Sequence, residues 1–529
     1  MRALPSHRPW RWRFRLLLAA LLTLLLVLAA LRPLSVPDEA RYSDISRWML
    51  VSGDWLVPRL NGLPFLHKPP LTHWEQAASM ALFGVTPWAA RIPQILLALL
   101  LVGGLYGAAR RLAGVALARR AALMLALSAS VLIGGQFANH DIGVAAWIAS
   151  AIWCFALAFA HGERPHAGWA LAGFVACALG LLTKGLIGLA LPGLVLALWL
   201  TWTHQWRKAW RLPWVSGVAL FALIAVPWFV LVARRYPGLW SYLFGEQQFT
   251  RYVGGGFNNE QPWWFYLAAV VLLLLPWSLF ALLEAFVQAR SRRAPLVQDG
   301  TRWVSLCWIW LGAIVLFFSI PRSKLIGYIL PALPPMALLA ALGWQRTVGA
   351  RPHASRWFAA LALLPLALAL RFTLSFPGMQ RAKLAEGVAA ELACRARPGD
   401  TILVIGGYPM DLPFVARTQT PLVVVQDWPQ LRISEGDTWR RELLDAGGFE
   451  PELADRILRP PAVLQQAARE PGHWLLAPSH AASDQAIPPP GWRQVFEGPA
   501  WRLYQSSATQ SPVAPGHEGL PGCQRHAPD

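Results

Sequence analysis

Runs of apolar residues, each about 17–25 long, recur from Leu16 to about residue 376. Lipid offers no water to satisfy backbone N–H and C=O groups, so a chain patterned this way crosses the membrane as helices. The runs fall at Leu16–Leu31 and at roughly 88–109, 115–135, 141–160, 168–183, 185–203, 214–234, 263–285, 302–320, 326–345 and 357–376, about eleven spans in all. With 55% hydrophobic and 14% charged residues over 529 positions, an ordinary soluble domain is excluded. The first run follows Arg8, Arg11, Arg13 and Arg15 and reads as a signal anchor, because no A-x-A cleavage site precedes a mature domain.

A net charge of +19 would fit a nucleic-acid partner, but the distribution of the cations argues against one. They cluster in short alternate loops: Arg110, Arg111, Arg119 and Arg120; Arg207, Lys208 and Arg211; Arg290, Arg292 and Arg293; Arg346, Arg351 and Arg356. Lys/Arg-rich short loops face the cytoplasm, which puts the N-terminus there and, with an odd span count, the C-terminal segment outside. The opposite face then receives every unusual polar cluster: Asp38/Glu39/Arg41, His67/Lys68, Asn139/His140/Asp141, Lys184, Glu246/Arg251 and Arg322/Lys324. Acidic residues at the water-facing end of a span are costly to desolvate and usually functional. Carboxylates and several cations lining an outer cavity are therefore expected.

Residues 38–50 and 71–84 read as interfacial helices lying on the membrane. Residues 51–72 are a Gly/Pro-rich reaching loop, and Gly254 to Gly256 mark a substrate loop within 236–262. After residue 376 the composition changes. Short strand patterns at 401–405, 421–425, 473–476 and 501–504 indicate a small outer α/β domain over 377–506, followed by a Pro/Gly/Ser-rich disordered tail at 507–529. Cysteine shows no metal or redox spacing.

The pieces DEARY at 38–42, SGDWLVPRLNGLPFLHKPPL at 52–71, FGVTPWAARIPQ at 83–94, LLTKGLIGLALP at 181–192, EQQFTRY at 246–252 and FFSIPRSKLIGYILPALPP at 317–335 resemble glycosyltransferase family 39. Within that family they are similar to the lipid A aminoarabinose transferases and the related protein O-mannosyltransferases. The resemblance implies an α-helical polytopic membrane protein of GT-C type with its small α/β domain in the periplasm of a bacterial inner membrane. It implies transfer of a sugar from a polyprenyl (undecaprenyl) phosphate donor to lipid A or another envelope acceptor, with a protein O-mannosyltransferase-like enzyme as the alternative. By motif, Asp38 is matched to the catalytic carboxylate, Asp141 to the second acid, Arg41 to the cation beside the carboxylate and Lys68 to the donor-phosphate ligand. Glu39, Tyr42, Lys184, Arg251, Lys324 and Tyr328 join them as substrate-binding positions. The family carries Glu before the lysine, where some members hold a divalent metal with a histidine. Here that position is His67, with Gln247 and Gln248 near the expected histidine, so no cofactor is assigned.

The chemistry agrees. Departure of a lipid phosphate builds negative charge that cations stabilise, and a carboxylate can take the proton of an acceptor hydroxyl. A transporter of lipid-linked sugars would instead show internal repeats and binding residues at the midplane. No repeat is visible, and the polar residues sit at one face.

Overall fold

The computed structural model describes residues 9–508 except 161, 163, 244, 246–258, 291–301, 436–437, 439 and 481–486. Among the described residues, seven helices are long and apolar enough to cross a membrane, from Pro87–Leu112 to Ala354–Gln380. Two bent pairs raise the number to nine: Val115–Ala126 with Ala129–Gln136 at 53°, and Phe265–Leu273 with Ser278–Arg290 at 116°. Arg15–Ala30 and Ile187–Trp202 are shorter apolar helices. The chain is a multi-span membrane protein.

The first four helices set up the polar end of the molecule: α1 (Pro9–Ala30), α2 (Asp38–Ser52), α3 (Leu71–Phe83) and α4 (Pro87–Leu112). The Thr86 side chain accepts the Ala89 N–H at 3.1 Å and Pro87 occupies the first turn of α4, where its missing N–H costs nothing. Gly53 ends α2 in the left-handed conformation, with φ +68°, a backbone geometry that glycine adopts without strain. The chain then turns through the two-residue strands β1 (Arg59–Leu60) and β2 (Leu63–Pro64), which pair antiparallel.

The helix expected at 38–50 is present, but its surroundings differ from a membrane surface. Residues Glu39 to Met49 of α2 are buried with the exception of Tyr42, including the polar Ser43, Asp44, Ser46 and Arg47. The helix is covered by α3, β1 and the C-terminal domain, so it has no solvent face to balance an apolar one. Its polar residues pair internally instead: Arg47 donates to Asp44 at 2.7 Å and to the Thr418 carbonyl at 2.6 Å.

Beyond the last membrane helix lies a six-stranded sheet of order β5-β4-β3-β6-β8-β7. Its strands are β3 (Thr401–Ile405), β4 (Val423–Val425), β5 (Leu458–Arg459), β6 (His473–Pro478), β7 (Trp492–Glu497) and β8 (Trp501–Ser506). The first four of these run parallel, and β7 and β8 form an antiparallel edge. Strands β5 and β7 carry no apolar run and are additions to the sequence reading. Cys394, on the Glu386–Arg395 helix, is disulfide-bonded, a pairing that the absence of metal or redox spacing in the sequence did not announce. Among the described residues Cys154, Cys177 and Cys307 are free.

This domain is seated on the 36–66 segment. Asn61 exchanges hydrogen bonds with the Leu422 backbone at 2.8 and 2.9 Å, and Arg47 donates to the Thr418 carbonyl at 2.6 Å. Leu60, Leu63 and Phe65 share one core with Leu392, Val424 and Trp474.

Candidate active site

Asp38 is the first residue of α2, where a negative charge is favoured by the helix dipole. Its side chain is 53% exposed and pairs with Arg41, one turn on, at 2.7 Å. Arg41 is nearly inaccessible and uses its other terminal nitrogen on Glu442 of the C-terminal domain. Burial works against the Arg41 charge, and Glu442, then Tyr42 and Asp38, override it, so the guanidinium pKa is raised. The same guanidinium lies 4.6 Å from the centre of the Tyr42 ring.

Asp141 opens the Asp141–Phe159 helix and Lys184 closes the Ala167–Lys184 helix, and the two ion-pair. Each charge sits at the helix end that its sign favours. Lys184 Nζ also lies 4.1 Å from the centre of the Tyr328 ring. Tyr328 belongs to the 3-10 segment Ile326–Ala332, whose backbone reaches this far only because residue 327 is glycine. A Cβ there would collide with the Asp141 carboxylate.

His140 joins the two groups. Its ring meets Tyr42 edge-on at 4.6 Å and His73 at 5.2 Å. Burial first, then His73, Lys68, Lys184 and Arg41, push its imidazole well below the usual histidine range. Three cations drawn from three separate parts of the chain thus act on one neutral ring. His73, on α3, is itself lowered to about 3 by burial and shares a 3.0 Å hydrogen bond with Ser46. Lys68 is half-buried on the loop between β2 and α3.

The structure therefore brings Asp38, Arg41, Tyr42, Lys68, Asp141, Lys184 and Tyr328 together. Two expected substrate-binding residues lie elsewhere. Glu39 is fully buried, taking hydrogen bonds from Arg91 twice at 2.9 Å, Arg32 at 3.2 Å, and the Ser35 and Ala138 amides at 3.0 and 2.9 Å. Every acceptor direction is used internally, which corrects its assignment to the substrate. Lys324 is likewise buried, its Nζ donating to the Pro321 and Gln261 carbonyls at 2.5 and 3.0 Å, so it ties its own loop to the segment before the Phe265–Leu273 helix. Arg251, with Glu246, Gln247, Gln248 and the 254–256 glycines, lies outside the described residues.

His67 stacks on Phe65 with ring centres 4.5 Å apart, and its Nε2 is 2.7 Å from the Tyr242 hydroxyl. A ring engaged in this way is not presented to a cation, and among the described residues no group of three His, Cys, Asp or Glu is placed to hold a metal.

Glu442, Arg91 and Arg32 were not visible as site or support residues in the sequence. Glu442 is 401 positions from Arg41, and Arg91 reads as an ordinary cation at the head of a span.

Residues 10–243 match the family described as dolichyl-phosphate-mannose-protein mannosyltransferase. An undecaprenyl phosphate-alpha-4-amino-4-deoxy-L-arabinose arabinosyl transferase of Erwinia tasmaniensis is 33% identical over 314 residues, 59% of this chain and 55% of that protein. Its counterpart in Pseudomonas aeruginosa is 34% identical over 336 residues, 62% of this chain and 59% of that protein. The chain thus spans less than two thirds of the length of these relatives. ArnT from Cupriavidus metallidurans, solved bound to undecaprenyl phosphate, superposes with a TM-score of 0.79 at 25% identity, over 96% of this chain and all of that one (100%). The chain has the GT-C fold and resembles glycosyltransferase family 39. The GT-C likeness extends, as fold alone, to the mycobacterial arabinofuranosyltransferase AftD, with a TM-score of 0.51 at 17% identity over 96% of this chain and 41% of that one.

Proposed function

We propose that this protein is a polyprenyl-phosphate-sugar-dependent glycosyltransferase that moves a sugar such as 4-amino-4-deoxyarabinose from undecaprenyl phosphate to lipid A or another envelope acceptor. The observation that carries this reading is the exposed carboxylate of Asp38 held by Arg41, with Tyr42 packed on His140 and the Asp141–Lys184 ion pair next to it in the chain. Cations and an exposed carboxylate side by side suit a reaction in which one partner leaves as a phosphate and the other arrives as an oxygen nucleophile. In that reaction the bond between the anomeric carbon and the donor phosphate oxygen breaks, and the phosphate departs with the electron pair. The acceptor oxygen bonds to the same carbon, and its proton passes to Asp38. Lys68 and Lys184 stabilise the departing phosphate. Arg41 holds Asp38, while His140 is neutral and fixes Tyr42 by edge-on packing.

The site and the C-terminal domain face the periplasm in this reading, with the basic loops in the cytoplasm of a bacterial inner membrane. The Cys394 disulfide supports that side, since disulfides persist in oxidising compartments. Mass spectrometry of lipid A and envelope glycans from cells with and without the protein tests the substrate assignment. Loss of a pentosamine from lipid A is expected, and a change confined to mannosylated proteins would favour the protein O-mannosyltransferase that the family match names. In purified protein, Asp38→Asn is expected to abolish transfer while leaving membrane insertion intact; near-normal transfer would remove Asp38 from catalysis.

A further inference from the structure

We infer that Glu442 of the C-terminal domain is a positioning residue of the transfer site, fixing Arg41 and through it the carboxylate of Asp38. The inference rests on the reading of Asp38 as the reacting carboxylate. Asp38 is half exposed and lies one helical turn from Arg41, and such a pair by itself holds neither side chain firmly. The opposite arm of Arg41 is different. It meets Glu442 with both side chains buried, 6% and 9% exposed, where a charged hydrogen bond is short, directional and hard to break. The guanidinium is planar and rigid, so anchoring one terminal nitrogen on Glu442 orients the other toward Asp38.

Glu442 starts a nine-residue stretch that touches two further parts of the membrane domain. Phe449 packs edge-on against Tyr236 at 5.7 Å and Tyr242 at 5.2 Å. Tyr242 in turn bonds His67, the neighbour of Lys68. Glu450 accepts the Tyr236 hydroxyl at 2.5 Å and the Arg59 guanidinium at 2.9 and 3.0 Å. One short segment of the outer domain therefore meets the helix that carries Asp38, the aromatic contact of the Lys68 loop, and the end of the Trp214–Arg235 helix. Domain docking does not require the Glu442 contact. Asn61 with Leu422 and Arg47 with Thr418 already join the two parts away from the reacting groups. A buried ion pair placed against the reacting carboxylate has a different use.

The test uses the full-length enzyme in liposomes, with undecaprenyl-phosphate aminoarabinose as donor and lipid A as acceptor. Glu442→Gln is expected to lower kcat at least tenfold with the donor KM within twofold of wild type, and Glu442→Asp to fall between the two. With Arg41→Gln already present, adding Glu442→Gln should lower kcat no further, because the two act through one contact. Asn61→Ala, which loosens docking elsewhere, should lower Tm with kcat retained. Glu442→Gln with unchanged kcat, or Asn61→Ala lowering kcat as much as Glu442→Gln, overturns the inference and leaves Glu442 as a docking contact. Should Glu442→Gln fail to fold, the comparison of Glu442→Asp with Asn61→Ala decides in the same way. Asp38→Asn separates the two levels: if it retains transfer, the reading of the site itself fails.

Discussion

At the scale of single residues, Asp38 and Glu39 show how adjacent carboxylates acquire opposite roles. One helical step turns Asp38 toward solvent and Glu39 into the interior, against two guanidinium groups. Burial pushes the Glu39 carboxyl upward, but Arg91 and then Arg32 outweigh it and hold it at about 2. Glu39→Gln leaves two buried cations without their shared anion, a loss of about 3–5 kcal/mol by analogy with other broken buried pairs. A marked drop in Tm at pH 7 is expected, with Asp38→Asn leaving Tm within a few degrees. The pH sign follows from a carboxylate whose folded pKa is depressed. Its contribution is complete above the unfolded value of 4.5 and fades as pH falls toward 2. Thermal unfolding in detergent at pH 7, 4 and 3 should show the gap between wild type and Glu39→Gln narrowing with acid. A gap that stays constant with pH would mean that the ionised form is not what matters.

At the scale of elements, the loop from Gly53 to Pro70 carries most of what distinguishes this site. It ends in His67 and Lys68, and its two halves are tied by Arg59 donating to the Gly62 carbonyl at 2.8 Å. We expect Lys68→Ala to weaken binding of plain undecaprenyl phosphate about as much as binding of the sugar-loaded lipid, because its charge meets the phosphate common to both. Hydrogen bonds to charged groups contribute about 1.5–3 kcal/mol, roughly a tenfold loss of affinity or more. Equilibrium binding of both lipids to the purified variant checks this, and an effect on acceptor use alone would move Lys68 to the acceptor side. The ring of His67, held by Phe65 and Tyr242, gives a second expectation from the same loop: EDTA leaves turnover unchanged and metal analysis finds no stoichiometric zinc. Zinc bound one-to-one and needed for turnover would show that the loop rearranges to bind it. These elements were legible to different degrees. The apolar runs announced the membrane helices because lipid imposes one solution on the backbone. The DEARY and HKPP pieces pointed to Asp38 and Lys68 as candidates because charge at a span end has few structural uses. The burial of α2 was hidden, since its cover comes from β1, α3 and a domain more than 350 residues away, and periodicity reports only which faces differ. Lys324 misled for a related reason: a lysine beside a membrane looks the same in sequence whether it holds a ligand or the backbone carbonyls of Pro321 and Gln261.

At the scale of the whole molecule, one end of a membrane bundle and the C-terminal sheet domain together line the candidate site, so in the proposed reading the orientation of the chain decides whether it can meet its substrates. Asp141 and Lys184 lie at one end of the paired helices Asp141–Phe159 and Ala167–Lys184, and Arg110 and Arg111 close α4 at the end away from its Thr86 cap. Because short basic loops are retained in the cytoplasm, Asp38, Lys68 and the sheet domain should lie outside. A cytoplasmic sheet domain would be inconsistent with a stable Cys394 disulfide, which glutathione and thioredoxin would reduce. Single cysteines introduced at two exposed arginines test this directly. Arg417→Cys, on the sheet domain, should react with a membrane-impermeant maleimide in intact spheroplasts. Arg356→Cys, near the start of the last membrane helix, should react only after permeabilisation. The reverse pattern would place the carboxylate on the side opposite to lipid A in the envelope. It would overturn the proposed acceptor while leaving the fold and the cluster around His140 as they stand.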